Sequence, residues 1–217
     1  MVRTKKPKPA RIDPIPVGAS ILDWLELSAA ELTKVVRENP SLRGMIVGYV
    51  AEFQVRKVFD GDERITNLTK DDDHDRKAKG DLRFDYKGHT FRLESKSLQT
   101  NLTKRMPDGT LDCTFQCDAS DARTVRFSDR SEVVTTSLLV GEFDLLAVCM
   151  FAAAGHWTFA FTKNRELPRS TKASYTELQR SELLSTNMKI KWPLQLPYRS
   201  DPFSVLDELV EEREREG

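Results

Sequence analysis

The sequence predicts an α/β protein in which helices flank a central sheet, and three observations lead there. An apolar run over residues 143–151, followed by a second over 157–161, has the length and composition of neighbouring strands, the first buried on both faces. Residues 81–97 alternate apolar and polar about Lys87-Gly88, the pattern of a hairpin with a two-residue turn. Helical periodicity with capping-box spacing precedes and follows these strands. The chain has 217 residues and is 39% hydrophobic, enough for one real core.

Residues 1–19 are rich in Lys, Arg and Pro without periodicity, so they form a basic, poorly ordered arm. A single domain over 20–206 follows, and 207–217 is a charged C-terminal tail. Ser28 and Glu31 form a capping box for a short helix to Glu38, which Asn39-Pro40 stops. Ser41 caps a second helix whose Ile46, Tyr49, Val50 and Phe53 face the core, with Glu52 at the edge of that stripe. Asp60-Gly61-Asp62 ends it and residues 64–69 are a strand. In the hairpin, Leu82, Phe84 and Tyr86 share one face with Phe91, Leu93 and Ser95 of the return strand. Asp81, Arg83 and Asp85 take the other face, as do Arg92, Glu94 and Lys96, so Glu94 and Lys96 project together. A second hairpin turns at 128–131, Ser174 and Glu177 cap a helix to about Ser185, and 202–213 is a last amphipathic helix.

The charge balance is zero, with 34 basic and 34 acidic residues, but it is unevenly spread. Residues 163–199 carry a net +5 with Tyr175, Trp192 and Tyr198 among them, a candidate phosphate-contacting face, whereas 207–216 carry −4 and read as a solvated helix end. No run of about 18 apolar residues exists to span a bilayer, and the basic N-terminus lacks the apolar stretch of a secretory signal. Cys113, Cys117 and Cys149 form no paired framework, which points to a reducing, cytoplasmic setting.

Several chemistries drop out. Cys113 and Cys117 have no second ligand pair for zinc. The acidic 71–75 segment fails as an EF-hand, because Arg76 stands where Gly is needed and Leu82 where Glu is needed. There is no phosphate-binding P-loop, nucleophile elbow, H-E-x-x-H or Rossmann glycine set. His74, His89 and His156 stand alone as surface residues, and Trp157, Phe159 and Phe161 are sheet core.

What remains is an acid at the start of one strand, an acid-x-Lys on its hairpin neighbour, and an acid on a preceding helix: Asp81, Glu94, Lys96 and Glu52. Carboxylates suit Mg²⁺, which keeps several waters, and an adjacent ammonium positions or activates water and offsets charge developing at a phosphodiester. Gly80-Asp81 followed by Glu94-Ser95-Lys96 resembles the PD-(D/E)XK nuclease superfamily over roughly residues 42–161, with Gly80 where that signature has proline. The resemblance implies a restriction endonuclease-like fold, a central mixed sheet flanked by helices. It implies Mg²⁺-dependent DNA cleavage, with Asp81 and Glu94 as metal ligands, Lys96 near the attacking water and Glu52 as an auxiliary acid. Gln116 is a further polar candidate. The function expected is that of a type II restriction endonuclease, a homodimer on double-stranded DNA with a separate cognate methyltransferase. A junction resolvase-like nuclease and a non-catalytic nucleic-acid-binding domain are the alternatives.

Overall fold

The computed structural model describes residues 15–70 and 80–216, so the expected basic arm before Ile15 and the 71–75 acidic segment lie outside the described residues. The chain divides into two compact units with the boundary between Ile46 and Val47. Three helices begin it: α1 (Ile21–Leu25), α2 (Ala29–Glu38) and α3 (Pro40–Phe59). The Ser28–Glu31 capping box is present, and α3 starts two residues earlier than a Ser41 cap implies, because Pro40 suits the first helical position.

The apolar face of α3 differs from the expected one. Ala51, Val55 and Phe59, spaced by four, are buried, while Tyr49 and Phe53 are 56% and 59% exposed and Ile46 also faces outward. Ala51 lets the helix approach closely, and Phe59 stacks on Phe84 at 4.8 Å between ring centroids. The exposed rings lie under cations, Lys57 over Phe53 and Lys70 over Tyr49.

After α3 come β1 (Ile65–Lys70), β2 (Leu82–Tyr86) and β3 (His89–Ser97), then β4 (Lys104–Arg105), β5 (Leu111–Gln116), β6 (Asp118–Arg126) and β7 (Glu132–Ser137). The chain continues through β8 (Leu145–Cys149), α4 (Phe151–Ala154), β9 (Phe159–Lys163), α5 (Glu177–Glu182), β10 (Asn187–Trp192) and α6 (Pro202–Glu216). The main sheet is mixed, in the order β1-β2-β3-β8-β9, with β3 and β8 parallel and the other pairs antiparallel. The β2–β3 hairpin closes through Lys87 and Gly88, both at positive φ, as a two-residue turn with primed-turn handedness requires. The strand β8 is buried along its whole length.

The two faces of the main sheet are covered differently. On one, Phe84, Leu93, Ala147 and Phe161 pack under α3 and α6. On the other, Leu146, Val148 and Met150 pack against Phe115, Met188 and Ile190 of a second sheet, ordered β10-β5-β4. The expected central mixed sheet with packed helices is present, the helices lying on one face and a three-stranded sheet on the other. The helix α5 is capped by Thr176 with Gln179, two residues later than expected; Thr176 takes the extended cap conformation, and Ser174 lies in the turn before it.

The segment expected as a charged tail is the second half of α6. Leu209 and Val210 are buried, Asp207 accepts hydrogen bonds from Tyr86 Oη and Lys87 Nζ at 2.7 Å each, and Arg213 reaches Thr90 O and Asp144. Lys163, only 5% exposed, pairs with Glu208 and Glu212, and Arg199 pairs with Glu166 and Glu208. The acidic end and the basic 163–199 segment thus neutralise one another. Ending the chain after Leu206 removes two buried apolar side chains at about 1.5–3 kcal/mol each and strands a buried ammonium at about 3–5 kcal/mol. That sum approaches the whole stability of a typical domain, so the truncated protein is expected to show no cooperative thermal transition by circular dichroism.

Candidate active site

The β2–β3 register builds the site. Leu82 opposes Leu93, which sets Asp81 across from Glu94 just beyond the last ladder pair. Asp81 N donates to Leu93 O at 2.7 Å, and Asp81 Oδ2 accepts from Ser95 N at 2.6 Å, so backbone on both sides fixes the carboxylate. Gly80 makes this turn possible. Its φ is +80°, and a Cβ there would lie 2.9 Å from Leu93 O. Proline, locked near −65°, cannot take that conformation. Gly80→Ala is expected to cost about 2 kcal/mol or more in urea unfolding and to displace Asp81, because the obstructing atom is backbone.

Glu94 and Lys96 lie on the sheet face turned toward β5, opposite Leu146 and Val148. Glu94 is 9% exposed, whereas a solvent-facing strand with alternating charges would leave it in water. Lys96 Nζ sits 2.6 Å from Glu94 Oε1 and donates to Asp118 O at 3.0 Å. Burial pulls the Lys96 ammonium toward deprotonation, but the Glu94 and Asp81 charges outweigh it and hold the group above its ordinary range. Burial first, and then the Glu94 charge, push Asp81 up to about 7 against the opposing Lys96 charge and Ser95 N–H bond. Lys96 is therefore a fixed cation rather than a base, and Asp81 shares its proton with the solvent near neutrality.

Glu52 stands apart from these three. It projects from α3, on the opposite face of the sheet, where its Oε2 pairs with Lys70 Nζ at 2.9 Å. It reaches Asp81 only as the weakest of the charges raising that carboxyl. Gln116 joins the site indirectly: its Nε2 donates to Asp118 Oδ2 at 2.8 Å and its Oε1 accepts from Gln99 Nε2 at 3.0 Å. Asp118 was not legible from the sequence as part of the site, because it holds Lys96 through a backbone carbonyl that leaves no side-chain signature. It also lines a polar cleft of about 720 Å³ between the β6–β7 hairpin and residues 170–175 and 185–187, with Thr135, Ser170, Tyr175 and Asn187 among its walls.

Among the described residues, no three His, Cys, Asp or Glu side chains form a metal cage. The donor chemistry nonetheless fits Mg²⁺, which needs only one or two carboxylates and keeps waters. Each of Asp81 and Glu94 has one oxygen engaged, by Ser95 N and Lys96 Nζ respectively, leaving its other oxygen as a donor. The three cysteines are buried free thiols, with Cys117 pushed up to about 12 by burial, and they supply no ligand chemistry. Phe159 and Phe161 are core, and Trp157 stacks on Phe151 at 4.4 Å. No helix of the described residues is long and apolar enough to cross a membrane.

The fold and site together define an α/β protein with a mixed sheet and a partly buried acid-acid-lysine set at one hairpin. No protein-family model matches the chain, and neither does any curated protein. Among solved structures, a bacterial homing endonuclease, I-Ssp6803I, aligns over 63% of this chain and 85% of its own at 16% identity, with a TM-score of 0.33.

Proposed function

We infer that this protein is a Mg²⁺-dependent endonuclease acting on double-stranded DNA, with Asp81 and Glu94 as the metal ligands. The observation that carries this reading is the partly buried Lys96 ammonium, held between Glu94 Oε1 and Asp118 O beside the Asp81 carboxyl. A bound Mg²⁺ supplies the charge that polarises a phosphodiester and eases deprotonation of water. Lys96 fixes an ammonium where charge develops on the phosphate, without reorganisation during the reaction. Asp81 and Glu94, anchored by backbone and by Lys96, orient the site, and Glu52 acts as an auxiliary acid only through its charge on Asp81, from the α3 side of the sheet. Water adds across the P–O bond, leaving a phosphate on one fragment and a hydroxyl on the other.

Within that class the reading is a type II restriction endonuclease. A homodimer, one site per subunit, suits two-fold symmetric DNA, and a separate methyltransferase protects the host sequence. Incubation with unmethylated phage and plasmid DNA, with Mg²⁺ or EDTA, tests this. Discrete Mg²⁺-dependent bands are the expected result. Cutting confined to branched DNA would replace restriction by structure-selective cleavage, and intact DNA in every metal would leave a binding domain.

A further inference from the structure

The basic segment 163–199 is mostly consumed internally. Lys163 and Arg199 pair with α6 or Glu166, while Arg169 and Arg180 donate to backbone carbonyls. Two of its cations, Lys189 and Lys191, are exposed on one face of β10. In the β10–β5 ladder Asn187 opposes Gln116, Lys189 opposes Thr114 and Lys191 opposes Asp112; in the β4–β5 ladder Lys104 also opposes Asp112. Opposed residues in an antiparallel ladder share a face, so these side chains form one polar row across the second sheet. The other face carries Met188, Phe115, Ile190 and Cys113 into the core.

We propose that this polar face of β4, β5 and β10 is the surface on which duplex DNA docks, with Lys104, Lys189 and Lys191 on phosphates and Asn187 presenting its amide to base edges. The proposal rests on the nuclease reading and names its substrate-binding surface. Continuity with the site supports it: Gln116, opposite Asn187, bonds to Asp118, whose carbonyl holds Lys96. Charge complementarity supports it too. Lys191 and Lys104 make no salt bridge among the described residues, Lys191 acting on the Asp108 carboxylate only as a more distant charge, and Lys189 Nζ donates to Thr114 Oγ1 at 2.7 Å. Asp112, between Lys104 and Lys191, has a buried Oδ1 without a hydrogen-bond partner, and its charge offsets the repulsion of bringing two ammonium groups across one strand. The lysines of β10 lie about 7 Å apart, near two base-pair rises of ~3.4 Å. The six-residue ladder spans roughly half a ~34 Å helical turn. The Asn187 side chain is exposed and makes no hydrogen bond among the described residues, leaving both donor and acceptor for a base, adenine being the usual match.

The test is binding of the full chain to a labelled duplex in EDTA, followed by anisotropy across a salt series, so that cleavage plays no part. The triple variant Lys104→Ala, Lys189→Ala, Lys191→Ala is expected to weaken binding about tenfold or more and to flatten the log-log salt slope by roughly 2–3. The control Arg56→Ala, Lys57→Ala, Arg215→Ala removes equal charge elsewhere and should leave the slope near wild type. Asn187→Ala should flatten the preference at one or two positions in duplexes selected from a random pool, with little change in slope. Equal effects of the two triples, wild-type binding by the first, tighter binding to duplex RNA, or no binding by the wild type would each overturn the docking surface. Mg²⁺-dependent cleavage by the wild type is scored separately: a cleaving protein whose first triple binds normally loses the docking surface but keeps the nuclease reading, and a binding protein that never cleaves does the reverse.

Discussion

Replacing Lys96 with alanine is expected to lower Mg²⁺-dependent cleavage by roughly 10²–10³-fold or more and to destabilise the protein, both through one lost ammonium. The Glu94 carboxylate loses its 2.6 Å partner while still buried, and Asp81 loses its main nearby positive charge. Breaking a buried pair on one side costs about 3–5 kcal/mol, which for a chain of this size lowers the melting temperature by about 10 °C. The deficit depends on pH. Without the ammonium the Asp81 carboxyl holds its proton to higher pH in the folded state, so the variant goes on losing stability above about pH 7, where wild type levels off, and differs least from wild type below it. Lys96→Arg keeps the charge and should retain most of the stability while losing cleavage, because a planar guanidinium cannot occupy the same point between Glu94 and Asp118. Full cleavage by Lys96→Ala would remove Lys96 from the mechanism.

Asp81→Asn is expected to separate stability from activity in opposite directions. The Asp81 carboxyl sits at about 7 against an ordinary 3.8, so the folded state holds a proton that the unfolded chain gives up between those values. Its contribution to metal-free stability is fully present below about pH 4 and lost as pH rises to about 7, at up to ~1.4 kcal/mol per pH unit. Asparagine has the same shape, still accepts from Ser95 N and never ionises. The variant should therefore melt with wild type at pH 4 and above it at pH 8 by calorimetry in EDTA, the difference amounting to a few kcal/mol. Mg²⁺ should raise the wild-type melting temperature at pH 8 and not that of the variant, which should not cleave. A variant that cleaves normally, or melts no higher than wild type at pH 8, would refute this account of Asp81.

The hairpin that carries the site was legible because a two-residue turn and a period of two leave one register. Leu82, Phe84, Phe91 and Leu93 are all buried as the alternation requires. The convergence of Asp81, Glu94 and Lys96 followed from the same register. The helix before it was harder to read. The sequence of α3 offers apolar side chains on more than one face, and the choice between Tyr49 and Phe53 or Ala51 and Val55 is made by Phe84 and Phe161, far along the chain. Glu52 accordingly falls on the other side of the sheet from Glu94. The charge blocks at 163–199 and 207–216 each looked like open surface, and only the packing of α6 on β9 shows Lys163 paired with Glu208 and Glu212, nearly 50 residues on. The roles of Gly80 and Asp118 are backbone roles, a positive φ and a carbonyl, which side-chain patterns do not reveal.

The tie between α6 and the turn of the β2–β3 hairpin has a consequence for how the protein is made. Asp207 holds Tyr86 and Lys87, and Arg213 holds Thr90 O, so the hairpin bearing Asp81 and Glu94 is clamped by residues that leave the ribosome long after it. The parallel partner β8 also follows β3 by about 50 residues. A nascent chain carries every acid and lysine of the site before it carries the parts that hold them rigid. The rigidity of the site thus arrives late in translation, and a chain abandoned before Asp207 is released without it.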